Sequence, residues 1–175
     1  MHPSSLKNMQ VSLEKIKILD KINLKILDVG GRGLGEDRSY KSLFKTNFIE
    51  YHIADIAPGE NVTHVMKGPY QLSSPNEYYD LIVSGQTLEH VKNPFKLVSE
   101  MVRVLKNNGF IIIIAPSAGP RHDVIDCWRF MDDSFKAIAE DTNLTIIADW
   151  IDKASDDKKS KPWQDHVFIG QKTQL

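Results

Sequence analysis

"YDLIVSGQTLEHVKNPFKLVSEMVRVLKNNGFIIIIAP", Tyr79 to Pro116, decides the fold. It opens on an apolar strand-like run and then carries Phe95, Val98, Met101, Val102 and Leu105 at helical spacing. It closes on "GFIIIIAP", with Asn107, Asn108 and Gly109 as the expected helix stop. Strand, helix, strand in so short a span is a parallel crossover. The unbroken apolar run of "FIIIIA" predicts a central strand covered by helices on both faces. Outward from this unit, "LKILDV", "FIEYHIAD" and "NVTHVM" precede it, and "LTIIADW" and "DHVFIG" follow, making seven strand candidates in all. Leu6, Met9, Leu13, Ile16 and Leu19 form one apolar stripe on a leading helix that should pack against the sheet. The expected architecture is a doubly wound α/β sheet.

The 175 residues, 41% hydrophobic and 26% charged, fit one domain with a real core. The expected organisation is a leading helix over 1–23, a ligand-binding half over 24–115, and a substrate-side segment with a terminal hairpin over 116–175. A net charge of −1 and a pI near 6.6 give no general pull toward nucleic acid or anionic membranes, so neither is an expected partner. Cys127 is the single cysteine, which excludes an internal disulfide and any cysteine-based zinc cluster and suits a reducing cytoplasm. The first residues lack a signal-peptide core, and no run approaches a membrane span.

The first strand runs into "DVGGRGLGEDRSY". Glycines after the first strand of a doubly wound sheet let the backbone approach a ligand closely, and Gly30, Gly31, Gly33 and Gly35 stand there. A dinucleotide fingerprint starting at Gly31 would need glycine at position 36, where this chain has Glu36, with Asp37 beside it. Acids at that point disfavour a pyrophosphate. Asp28, at the strand end, suits a cation held directly or through water. Asp55 ends the second strand twenty residues after Gly35, where an acid can accept both hydroxyls of a ribose. The expected ligand is a nucleoside without a pyrophosphate and with positive charge, a description that S-adenosylmethionine meets.

At these residues the chain resembles the class I S-adenosylmethionine-dependent methyltransferases, specifically small type 11-like members whose fourth strand reads like "YDLIVSGQTLEHV". The resemblance covers Lys25 to Gln171 and is most specific over "DLIVSGQTLEHVKNPFKLVSEMVRVLKNNGFIIIIAPSAGP". It implies a Rossmann-like seven-stranded sheet, mostly parallel, whose last strand "DHVFIG" runs antiparallel after an exposed loop, "DKASDDKKSKP". It also implies that Asp28, Gly30, Gly31 and Gly33 surround the methionine half of the cofactor. Asp55 would take the ribose hydroxyls, Ile56 would pack on the adenine, and Ser84, Gly85 and Gln86 would line the space near the sulfonium. Gly68 stands where the family commonly has an acid that reads the adenine amino group, so Tyr70 or a main-chain group is the expected cover for the base. Glu89 and His90 fall where the family pattern begins a helix and are expected to be structural.

"PSAGPRHDVIDCWRFMDDSFKAI" follows the fifth strand, on the edge where an acceptor must approach. His122 is the expected general base for a hydroxyl acceptor. Asp126, Trp128 and Arg129 are the expected substrate contacts, with Trp128 as an apolar platform for a sugar ring. Asp132 or Asp133 should cap the helix that follows. A sulfonium-bound methyl is already activated, so catalysis rests on placing the nucleophile, and no metal is expected. The expected acceptor is a small molecule, a sugar or sugar nucleotide being the specific reading, and a homodimer is allowed. Two other classes stand beside this one: a nonenzymatic cofactor-binding or scaffold protein, and a nicotinamide-dependent oxidoreductase.

Overall fold

The computed structural model describes residues 3–33, 35, 39–44, 48–153 and 162–173. Glu36 and Asp37, and positions 154–161 of the expected exposed loop, lie outside the described residues. In chain order the elements are α1 (Pro3–Lys15), β1 (Leu24–Val29), β2 (Phe48–Asp55), β3 (His64–Val65), β4 (Tyr79–Gly85), α2 (Pro94–Val104), β5 (Leu105–Pro116), α3 (Ser134–Thr142), β6 (Leu144–Ile151) and β7 (Asp165–Lys172). They form one seven-stranded sheet in the order β3-β2-β1-β4-β5-β7-β6. Every pairing is parallel except those of β7, which runs antiparallel to both β5 and β6.

Both faces of the sheet are covered, and the side chains of β5 alternate between them. Ile111 and Ile113 join Leu97, Val98, Met101 and Val104 of α2 and Phe135, Ile138 and Ala139 of α3. Ile112 and Ile114 face the other way, toward Met9 and Leu13 of α1 and the ring of Tyr40. All four isoleucines are fully buried, which is why the strand reads as continuous apolar sequence. Truncating any one to alanine removes about 2–5 kcal/mol.

Two local expectations are corrected. Helix α2 ends at Val104, because Leu105 already has extended backbone (φ −77°, ψ 134°) and starts β5. The Asn107–Asn108–Gly109 run therefore lies inside the strand, with Asn108 in the left-handed region at φ 62°. The buried stripe is shifted accordingly, with Leu97 and Val104 inside and Phe95 exposed. Asp133 does occupy the N-cap of α3 but makes no side-chain cap; its carboxylate takes Lys136 Nζ at 2.9 Å instead.

Helix α1 is pinned by polar contacts as well as by its stripe. Ser4 Oγ donates to Asp165 Oδ2 at 2.7 Å and Asn8 Nδ2 to the same oxygen at 3.3 Å, while Ser5 Oγ lies 2.6 Å from Tyr40 Oη. Asp165 is the first residue of β7, so the helix is tied to the edge of the sheet where the functional loops gather.

Asp28 sits in β1 beneath the glycine loop, 2% exposed, with its Oδ2 accepting the Tyr51 hydroxyl at 3.0 Å. Burial pushes its carboxyl up to about 7, and the hydrogen bond offsets this in part. In the unfolded chain the carboxyl ionises near pH 4, so the stability linked to Asp28 is fully present below about pH 4 and is lost as pH rises toward 7. Asp28→Asn keeps an oxygen for Tyr51 and cannot ionise. In urea unfolding of the ligand-free protein it should exceed wild type at pH 8 by up to about 4 kcal/mol, and the excess should vanish at pH 4; an equal difference at both pH values would show that Asp28 is ionised in the fold.

Candidate active site

Strand order reverses at β1: the chain continues toward β2 and β3 on one side, and β4 and β5 lie on the other. The loops leaving β1 and β4 therefore part, and a cleft opens at the carboxyl ends of the strands. Its volume is about 530 Å³, and its lining includes Gly30, Asp55, Ile56, Tyr70, Gln86 and His90. The loop floor is tightly made. Gly30 N–H donates to the Ala54 carbonyl at 2.8 Å. Gly30 has φ 89°, and a Cβ on it would lie 2.1 Å from Thr87 Oγ1. Only glycine fits that close approach between the two loops.

At one end of the cleft Asp55 is braced by its own turn, Oδ1 accepting Ala57 N–H at 3.1 Å and pairing with Arg32 Nε at 3.3 Å. Ile56 is 58% exposed beside it, and half-buried Tyr70 packs its ring on the core edge. Gly68 forms a small bridge with Gln71 and contributes no side chain. A carboxylate acceptor flanked by an aliphatic and an aromatic side chain fits a ribose with an attached base. At the middle stands Gln86, held in the left-handed region at φ 56°, its Nε2 donating to Asp165 Oδ1 at 2.9 Å.

Several expected contacts lie elsewhere. Ser84 is fully buried and donates its hydroxyl to the Val29 carbonyl at 2.9 Å, so it joins β4 to β1 and does not face the cleft. Gly85 is small because of Tyr40, whose Oη would lie 1.8 Å from a Cβ there. Gly31 covers Asp28, with 2.9 Å between a Cβ there and Asp28 Oδ2. Asp28 itself is buried beneath the loop and does not line the cleft. Gly33 donates its N–H to Asn61 Oδ1 at 3.0 Å and borders a neighbouring hollow on the Tyr51 side.

The segment after β5 folds back over the start of the β4 loop. Cys127 N–H donates to the Glu89 carbonyl at 2.7 Å, and Trp128 Nε1 to the Val91 carbonyl at 2.8 Å. Arg129 clamps it from within. Its Nε donates to Gly119 O at 3.1 Å. Its Nη1 donates to Asp126 Oδ1 at 2.6 Å and Trp128 O at 2.7 Å, and its Nη2 to Pro120 O at 2.6 Å and Asp126 Oδ2 at 2.9 Å. All five donors are spent inside the segment. The Asp126 side chain has no exposed surface, also accepts His122 N–H at 2.9 Å and lies 3.0 Å from His122 Nδ1, and the guanidinium holds its carboxyl well below the usual range. Asp126 and Arg129 are therefore corrected from substrate contacts to the frame that orients His122. Trp128 stays 42% exposed with its N–H fixed, leaving an indole face free, and Phe130 is the buried plug. Cys127 is an exposed free thiol.

Glu89 and His90 lie in a 3₁₀ turn, Leu88–His90, shortly before α2; His90 lines the cleft and Glu89 is buried beside it. In sequence they look like a catalytic pair, but the family pattern there implies a structural role. Their meeting with His122 depends on the loop after β5 crossing back, and no local spacing shows that.

Residues 33–113 match the model of a methyltransferase domain. A ubiquinone/menaquinone biosynthesis C-methyltransferase of Coxiella burnetii is 32% identical over 73 residues, 40% of this chain and 29% of that protein. The chain thus spans less than a third of the length of the curated relatives it matches. Among solved structures, the YcgJ protein of Bacillus subtilis superimposes with a TM-score of 0.72 at 16% identity, covering 99% of this chain and 100% of that one. A Burkholderia thailandensis 1,6-didemethyltoxoflavin-N1-methyltransferase, solved with 1,6-didemethyltoxoflavin and S-adenosylhomocysteine, gives 0.72 at 14% identity over 97% of this chain and 79% of that one. At such identities these likenesses speak for the fold. Together with the reversed strand order and the antiparallel β7, they establish the Rossmann-like fold that these methyltransferases share, and over residues 33–113 the chain is similar to a methyltransferase domain.

Proposed function

We propose that the chain transfers a methyl group from S-adenosylmethionine to an oxygen or nitrogen of a small-molecule acceptor, with a sugar or sugar-nucleotide hydroxyl as the specific substrate. The observation that carries this reading is the lining of one cleft: Asp55, Ile56 and Tyr70 from the β2 and β3 loops, and His90 from the β4 loop with His122 edge-on to it, ring centroids 5.0 Å apart. Asp55 would take the ribose hydroxyls, and Ile56 and Tyr70 would sandwich the base. Bound there, the cofactor supplies a methyl group already activated by its sulfonium charge. The chain's own task is to bring the acceptor in line and to accept a proton. His122 Nε2 receives that proton, while Asp126 holds Nδ1–H and stabilises the imidazolium that forms. The exposed face of Trp128 would seat the acceptor's ring, a sequence expectation retained here as part of the proposal. The single cysteine supports a reducing cytoplasm as the setting on this reading.

S-adenosylhomocysteine at a hundredfold excess over its Kd should add about 2.7 kcal/mol and raise the melting temperature by roughly 5–10 °C, and NAD should not. Asp55→Ala should fold normally and lose about ten- to a hundredfold in cofactor affinity by calorimetry, the worth of its charge-assisted hydrogen bonds. Stabilisation by NAD alone would overturn the cofactor assignment; cofactor binding with no methyl transfer across an acceptor screen would favour a binding or scaffold role.

His122→Ala and Arg129→Ala should separate chemistry from framework. The first should lower turnover by on the order of a hundredfold while leaving melting temperature and cofactor affinity in place. The second leaves the Asp126 carboxylate with His122 as its remaining partner and should cost about 1.5–3 kcal/mol of stability, with loss of turnover following loss of order. Normal stability in Arg129→Ala together with a raised acceptor KM would return Arg129 to the substrate site.

A further inference from the structure

We propose that Glu89, His90 and His122 form a binding site for a divalent first-row metal ion, such as zinc, at the acceptor end of the cleft. One ligand atom from each residue lies within 4.8 Å of the others. Glu89 is fully buried, yet neither carboxylate oxygen has a hydrogen-bond partner among the described residues. Buried carboxylates are almost always bonded, because stripping water from one without replacing its donors costs several kcal/mol. His90 Nε2 stands 3.6 Å from Glu89 Oε1, too far for a hydrogen bond and close enough to share an ion with it.

The second argument is the way both imidazoles are held. His90 Nδ1 contacts the Ile125 carbonyl at 2.5 Å, which can only accept, so Nδ1 carries the proton. His122 Nδ1 faces Asp126 Oδ2 at 3.0 Å, and that carboxylate is kept ionised by Arg129, so the proton again sits on Nδ1. In the neutral form each ring then has a bare Nε2 lone pair. A carbonyl or carboxylate behind a histidine, fixing the tautomer and the ring plane, is the usual outer support of a metal ligand.

Two nitrogens and one oxygen suit zinc, cobalt or manganese better than magnesium, and three protein ligands leave positions open toward the cleft. Bonds of about 2.0–2.1 Å put tetrahedral ligands ~3.3 Å apart. The trio must therefore draw in from its present spread, and His122, with 30% of its side chain exposed, is the member with room to move. What the ion does there rests on the proposed methyl transfer: an acceptor with two adjacent oxygens, such as a sugar diol, could occupy the open positions. Ligation and proton transfer compete for the same His122 Nε2 lone pair, so His122 is a base in the metal-free protein and a ligand in the loaded one.

The test uses the full chain, untagged and chelator-treated, in a Cys127→Ser background that removes the exposed thiol. Cobalt should bind one to one with visible absorption bands of a four- or five-coordinate site, and zinc should displace it. Glu89→Gln and His122→Ala should each weaken zinc at least a hundredfold, while His64→Ala, in the separate His52–His64 pair, should leave binding unchanged. Should Glu89→Gln fold poorly, His122→Ala carries the test alone. No binding, binding that survives both substitutions, or binding lost in His64→Ala would overturn the site. The melting shift with S-adenosylhomocysteine is read separately, so failure of the metal site and failure of the methyltransferase reading are distinguishable.

Discussion

Parallel pairing of β1 with strands on both sides is the constraint from which the cleft follows. Ile26 to Asp28 stand opposite Tyr51 to Ile53 on one flank and Leu81 to Val83 on the other. Both neighbours run the same way, so the carboxyl ends of all three strands emerge together and their loops must diverge. The seam between β1 and β4 then fixes the floor. The Val29 carbonyl accepts the hydroxyls of Ser84 at 2.9 Å and Thr87 at 3.3 Å, and Thr87 fills the space that a side chain on Gly30 would need. The glycine loop is thus small on both sides for packing reasons before any ligand is considered.

The acceptor side is assembled differently, by one ion pair inside a loop. Between Pro116 and Phe130 the chain has no helix or strand of its own, and the Arg129 guanidinium replaces that missing ladder by binding three carbonyls and a carboxylate. A buried ion pair of this kind adds little net stability over an apolar substitute. Its contribution is geometric: it places His122 against His90, while Val124, Ile125, Trp128 and Met131 of this part of the chain stay exposed.

The strands were legible because burial on both faces or alternation on one leaves a direct mark on sequence. "LKILDV" and "FIEYHIAD" are β1 and β2 to the residue. Position relative to the strand ends was legible too, which is why Gly30, Asp55, Ile56, Tyr70 and Gln86 meet in one cleft. Orientation was not. Whether Ser84 faces the cleft or the neighbouring strand depends on a single step of the strand's two-residue period, and the strand end gives no second clue. Asp126 and Arg129 look like substrate ligands in sequence because charge in a loop usually meets water or ligand. Their spacing of three lets each saturate the other, and that emerges from loop geometry alone.

Two buried carboxyls, Asp28 and Glu89, show how the same physics yields different roles. Burial raises both toward neutral pH. Asp28 resolves its burial locally: the Tyr51 hydroxyl approaches it, Gly31 lies over it, and nothing leads from it to the cleft. Neither Glu89 carboxylate oxygen has a hydrogen-bond donor among the described residues, and the Glu89 carbonyl is committed to holding the next loop through Cys127. A side chain that costs the fold a desolvated carboxyl and receives no hydrogen bond in return is retained for something outside the fold's own packing. The two imidazoles that close on it, each with its proton directed away, supply the complementary half of that argument.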